Sequence, residues 1–204
     1  MRVHTHITGG LLLATSMTCL TGLYKPVFST DIVTTGMSLI NFALYITGSS
    51  SGSILPDIEK KGSSISNKHK ISAFFARHIF THRGATHSLL ALFIIALFLT
   101  PICIYIPFGF GTSYSVGLLI GYGSHIILDS FNPLGVPVFY PFSYRFSIGK
   151  FKTGKISEWV FFSALIVMLY ILTDKFILSS LPYESIKEVI SPIKTTLQTI
   201  MAGI

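Results

Sequence analysis

SLLALFIIALFLTPICIYIP, residues 88–107, runs from end to end without a charged side chain. About 20 apolar residues are what an α-helix needs to cross the hydrocarbon core of a bilayer. A helix also satisfies its own backbone hydrogen bonds where no water can do so. Working outward from this run, four more stretches approach the same length: 7–24, 32–48, 115–131 and 159–178. The first is rich in small residues, as helices packed against other membrane helices tend to be. The second is interrupted by Asn41, and the fourth ends on His125 and Asp129.

The expected fold is therefore all-α: a polytopic membrane helical bundle with about five transmembrane helices. A polar loop at 49–86 contains residues 71–80, where Ile71, Phe74, Phe75 and Ile79 recur at helical spacing; this predicts an interfacial helix. Residues 185–201 place Ile186, Val189, Ile190, Ile193, Leu197, Ile200 and Met201 on one face, predicting an amphipathic C-terminal helix too polar to span. A membrane-embedded domain over 1–180 and a tail over 181–204 follow.

Composition agrees. Of 204 residues, 50% are hydrophobic and 11% charged, where a soluble domain carries about 25% charged residues. The mean hydropathy is +0.66. The net charge of +7 suits loops retained on the cytoplasmic side better than nucleic acid, so nucleic acid is disfavoured as a partner. Cys19 and Cys103 both lie in apolar runs and read as packed core thiols. The first apolar run lacks an A-x-A cleavage pattern and reads as a retained helix.

Threading the chain back and forth through five spans puts the N-terminus, both polar loops and the end of the fourth helix at one face. That face collects 11 of the 15 Lys and Arg residues, which assigns it to the cytoplasm. All seven histidines fall there too, with Asp57, Glu59, Asp129 and Glu158. The localisation expected is a bacterial inner (cytoplasmic) membrane, multi-pass, with the polar site facing the cytoplasm.

Within that set His125 and Asp129 stand four apart, on one face of a helix. Ionisable groups in a spanning helix are costly, which makes function the default reading. A structural His–Asp hydrogen bond is the alternative; a metal held by imidazole and carboxylate accounts for more, and suits zinc, manganese or iron. The run Thr81-His82-Arg83-Gly84-Ala85-Thr86-His87-Ser88 precedes the apolar helix. There His87 reads as a ligand, His82 as a ligand or general acid, and Arg83 as a planar fork for phosphate or carboxylate. Pro56-Asp57-Ile58-Glu59 offers two carboxylates two residues apart, and His6 heads the first helix. Glu158 reads either as a distal base or ligand, or as an acid favoured at a helix start. Metal-assisted hydrolysis needs this inventory: a cation to polarise oxygen and lower the pKa of a water, and a nearby acid or base.

These residues, in this order, resemble the YdjM family of bacterial membrane proteins grouped as metal-dependent hydrolases. The resemblance covers roughly residues 1–162. It rests on Thr5-His6…Gly10, Leu55-Pro56-Asp57-Ile58-Glu59, His82-Arg83-Gly84-Ala85-Thr86-His87-Ser88, Gly121-Tyr122-Gly123-Ser124-His125…Asp129, and Asn132-Pro133-Leu134-Gly135-Val136-Pro137 with Tyr140-Pro141-Phe142. Where the family usually reads Pro-Asp-Ile-Asp-His, this chain has Glu59 and Lys60, keeping an acid and losing a His. Descriptions of the family also mention an association with the SOS repressor, which would imply a regulator protein as partner. More distantly, the order is similar to the zinc phospholipase C and single-strand nuclease group. That likeness implies zinc, one or two ions, with Asp129 as a bridging carboxylate; the elements of a third zinc are missing.

The resulting expectation is a phosphoesterase-like hydrolase acting on a membrane lipid or amphiphilic phosphate. Its metal ligands would be His6, Asp57, His87, His125 and Asp129, and its catalytic groups His82, Arg83 and Glu59. A non-catalytic protein that binds a regulator through its basic loop, with a structural metal, is the first alternative. An ion or proton transporter is the second, disfavoured because the titratable groups cluster at one end rather than along the helices. The sequence fixes neither substrate nor oligomeric state.

Overall fold

The computed structural model describes residues 1–27, 31–59, 85–149, 151 and 153–174, without the side chains of residues 58 and 59. Among these residues there are five α-helices: α1 (Val3–Thr21), α2 (Ile32–Gly52), α3 (Leu89–Tyr105), α4 (Phe110–Ser130) and α5 (Ile156–Leu172). Two short 3-10 turns, Leu55–Glu59 and Ala85–His87, sit between α2 and α3. The described residues form no strand, only an isolated antiparallel bridge between Val136 and Phe146. The expected interfacial helix at 71–80 and the tail at 181–204 lie outside the described residues.

Helix ends follow local chemistry. The Asp31 carboxylate accepts from the Val33 and Thr34 N–H groups at the start of α2, and the Ser88 hydroxyl accepts from Ala91 N–H at the start of α3. Gly22, at φ 71°, closes α1 by donating its N–H to Thr18 O. Four helix ends reach beyond the sequence reading. α1 starts at Val3 rather than residue 7, α2 runs on to Gly52, α4 starts at Phe110 rather than residue 115, and α5 starts at Ile156 rather than residue 159. In each case the added turn is polar or glycine-containing, so a search for apolar runs stops short of it.

α4 is the central helix, packed against α1, α2 and α3, while α5 packs on α1. The α2–α4 seam is unusually close. A Cβ added at Gly52 would lie 2.0 Å from Leu118 O, and one at Gly121 would lie 2.0 Å from Ser49 O. Only glycine permits backbones to approach so closely, the packing mode membrane helices favour. At the far end Asn41 ties the same helices together: its side-chain amide donates to Phe108 O at 3.1 Å and accepts from the Ser113 hydroxyl at 2.5 Å.

The distribution of polarity is inverted relative to a soluble protein. Buried positions include Thr5, Thr15, Thr18, Ser49, Ser53, Ser113 and Ser115, whereas Phe93, Phe98 and Ile104 on α3 and Val160 and Tyr170 on α5 point outward. Among the described residues one stretch, Ile32–Asp57, is by length and composition long and apolar enough to cross a membrane; α3 and α5 are apolar but shorter, at 17 residues each. Both 3-10 turns lie at one end of the bundle, where α1 and α3 begin and α2 and α4 end.

Candidate metal centre

Four separate elements deliver side chains to that end. α1 supplies His6, the turn after α2 supplies Asp57, the turn before α3 supplies His87, and the last turns of α4 supply His125 and Asp129. His6, His87 and His125 are at most 1% exposed and Asp129 is 3% exposed. The Asp57 side chain, at 13%, is the most accessible of the five.

Asp129 is the hub. Its Oδ1 lies 3.4 Å from His6 Nε2, and its Oδ2 lies 3.7 Å from both His87 Nε2 and His125 Nε2. Asp57 Oδ1 is 3.8 Å from His87 Nε2. The His6 and His125 rings stack at 3.8 Å, and His87 meets His125 edge-on at 5.2 Å. Two three-residue groups, His6–Asp57–His125 and His87–His125–Asp129, each present ligand atoms within 4.8 Å of one another. Tetrahedral zinc ligands at about 2.0–2.1 Å from the metal sit about 3.4 Å apart, so spacings of 3.4–3.8 Å lie close to those of a metal shell.

Tautomer chemistry bears on whether these residues suit a metal. His125 Nδ1 is 2.7 Å from Ser53 O; a carbonyl can only accept, so Nδ1 carries the proton. In the neutral ring Nε2 is then a lone pair, aimed at an ionised carboxylate that is itself only an acceptor. At 3.7 Å no hydrogen bond links them, and His125 Nε2 and His6 Nδ1 are buried without a hydrogen-bond partner. Buried polar atoms are nearly always satisfied. Two acceptors set against each other in this way are an arrangement that a cation held between them would satisfy. The residues fit a divalent metal bound by imidazole and carboxylate.

Two of the three histidines have the second nitrogen held, as is usual for metal-ligating imidazoles. His125 has Ser53 O, and His87 Nδ1 lies 3.0 Å from the Thr86 hydroxyl. The Tyr122 hydroxyl donates to Thr86 O and anchors that turn to α4. The Met1 amine donates to Asp129 Oδ1 at 2.9 Å.

The structure thus brings together all five residues read as ligands. His82 and Arg83 lie outside the described residues, as do His69, His78 and the side chain of Glu59. Glu158 is near the site but belongs to neither ligand group. Sequence reasoning missed the Ser53 carbonyl, because a main-chain acceptor has no residue-type signature, and gave Tyr122 no role beyond its place in the GYGSH run.

Comparison with known proteins places this geometry in context. A family model described as YdjM inner membrane protein matches residues 1–187. The chain is 32% identical to "Uncharacterized protein YvsG" of Bacillus subtilis (strain 168) over 155 residues, 76% of this chain and 82% of that protein. It is 39% identical to "Inner membrane protein YdjM" of Escherichia coli (strain K12) over 98 residues, which is 47% of this chain and 48% of that relative. A Shigella flexneri protein of the same name matches to the same extent. No solved structure matches.

Proposed function

We propose, for a chain that belongs to the YdjM inner membrane protein family, that it is a multi-pass inner-membrane hydrolase dependent on divalent metal. In this reading it acts as a phosphoesterase on a lipid or other amphiphilic phosphate at the cytoplasmic face. The observation that carries the metal is the His125 Nε2 lone pair set against the Asp129 carboxylate at 3.7 Å, with His6, His87 and Asp57 converging on the same gap. Burial of serine, threonine and histidine inside an apolar exterior supports a bilayer setting.

His6, Asp57, His87, His125 and Asp129 would hold the cation, zinc on the likeness to the zinc phospholipase C group, as one or two ions. When bound, such an ion supplies Lewis acidity and lowers the pKa of a water toward about 7. The protein's own groups do the rest. Ser53 O fixes His125 in the tautomer that offers Nε2. Asp129 turns one oxygen toward His6 and the other toward His87 and His125. Asp57, the most exposed member, marks the side from which a phosphate would approach. On the sequence reading, Arg83 steadies that phosphate, and His82 completes the metal shell or protonates the leaving group.

The test has two parts. Metal content of the purified protein is measured beside a His125→Ala/Asp129→Ala double variant; equal metal in both would reject the site. Hydrolysis of phospholipids, lipid phosphates and simple phosphodiesters is then screened with and without chelator. Near-complete burial of His6, His87 and His125 favours a second reading, in which the metal is structural and the basic loop binds a regulator. Deleting residues 60–70 separates the two: it would abolish partner binding and spare hydrolysis.

A further inference from the structure

Glu158 opens α5, is 2% exposed, and faces neither ligand group. Its oxygens are already engaged. Oε1 accepts the Arg2 N–H at 2.5 Å and the Thr5 hydroxyl at 3.4 Å, and Oε2 accepts the Gly154 N–H at 2.6 Å. The Arg2 guanidinium lies 3.9 Å from Oε2 and sits over the Trp159 ring at 5.2 Å. His4 stacks on the same ring at 5.3 Å. A favourable charge at the start of α5 would explain an acid at this position, but not why it reaches across to α1.

The contacts to α1 fall on residues 2 to 5, the turn that ends at His6. A helix is rigid over one turn, with each residue adding 1.5 Å of rise and a fixed rotation. Holding Arg2 and Thr5 therefore sets both the depth and the direction of the His6 ring. We propose that Glu158 is a positioning residue for the metal centre: it clamps the first turn of α1 to the start of α5 so that His6 meets Asp129 and His125. Glu158 touches no ligand side chain and acts only through the backbone that carries His6. The inference rests on the metal reading above.

The experiment measures Co2+ and Zn2+ affinity of the full-length detergent-solubilised protein, following the Co2+ visible absorption bands. The variants are Glu158→Ala and Glu158→Gln, each with His6 intact and with His6→Ala. Loss of an outer contact made directly to a metal ligand typically weakens affinity about 10–100-fold; Glu158 acts one step further out, so a loss of up to about 10-fold is expected for Glu158→Ala. Glu158→Gln keeps one acceptor for the Arg2 N–H and sets an amide N–H against Gly154. It should lose less and serves as the deciding variant if Glu158→Ala fails to fold. With His6→Ala neither change should weaken binding further, because the ring being positioned is gone. Arg2→Ala, which retains the Arg2 N–H, should bind nearly as wild type. Unchanged affinity in both Glu158 variants would overturn the inference. So would an equal fold-loss with and without His6, the mark of general loosening. Absence of metal binding by the wild-type protein would instead overturn the metal reading, and this inference with it.

Discussion

Two glycines one helical half-turn apart on α4 are expected to respond to alanine in opposite directions. A Cβ at Gly121 would lie 2.0 Å from Ser49 O, whereas a Cβ at Gly123 meets nothing within 4 Å. Carbon–oxygen contacts between helices settle at about 3.3 Å or more. Gly121→Ala must therefore push α2 and α4 apart by roughly 1.3 Å, since both offending atoms are backbone. Ser53, just past the end of α2, now accepts the His125 Nδ1–H at 2.7 Å. Moved with α2, that contact opens to about 4 Å, beyond hydrogen-bonding range. Overpacking costs about 1–3 kcal/mol and a lost hydrogen bond about 0.5–1.5 kcal/mol. A loss of about 2–4 kcal/mol is expected, together with weaker metal binding because His125 is no longer held.

Gly123→Ala has the space and gains helix propensity, so it should be neutral or stabilising by up to about 1 kcal/mol. Thermal unfolding in one detergent, with zinc titrations of the same preparations, reads both effects. Equal melting temperatures for the two variants would refute the close α2–α4 seam. A destabilised Gly121→Ala with wild-type zinc affinity would refute the link from that seam to His125.

Asp129→Asn keeps the shape of the hub and removes its charge; zinc content should fall to background, and chelator should lower the melting temperature of the wild-type protein only, as differential scanning fluorimetry can show. Saturating zinc should offset part of the Gly121→Ala loss, since a ligand at 100 times its Kd stabilises by about 2.7 kcal/mol; a zinc-independent melting temperature would contradict it. Glu158, which precedes the apolar run beginning at Trp159, is disfavoured as a charge by burial, but the Gly154 and Arg2 N–H groups overcome this and hold its carboxyl below the ordinary 4.5. A depressed pKa contributes stability that is present above 4.5 and lost as the pH falls through the folded-state value. Glu158→Gln should accordingly flatten the acid limb of the stability–pH curve below 4.5 and leave the neutral region parallel to wild type.

The apolar helices were legible because apolar length is written directly in residue type: α3 falls within one residue of the run at 88–107 at its start and two at its end. His125 and Asp129 were legible because four-residue spacing on a helix is geometry in itself. The gathering of His6, Asp57 and His87 around them followed from topology, since each stands at the mouth of a helix. What could not be read was everything carried by the main chain or by distance along it. Ser53 offers a carbonyl, which any residue has. Glu158 reaches Arg2 across 156 positions, and an acid opening a helix is common enough to hide that reach. The polar first turn of α1 was missed for the same reason, because its helicity is tied to α5 rather than to its own composition.

Among the described residues the apolar interior is small, with Tyr122, Ile126 and Val136 forming a buried cluster beside the site, and most other buried positions near it are polar. In water such a core would be poorly stabilised, because burying hydroxyls and imidazoles gains little over leaving them hydrated. In a bilayer the comparison would change: outward apolar faces such as those of α3 and α5 would be solvated by lipid, and helix association would come from close backbone packing and polar contacts. The glycine seam, Asn41 at one end and the His/Asp cluster at the other supply both. The contacts that hold α1, α2, α3 and α4 together at this end therefore also build the candidate metal site, and site and fold should be lost together rather than separately.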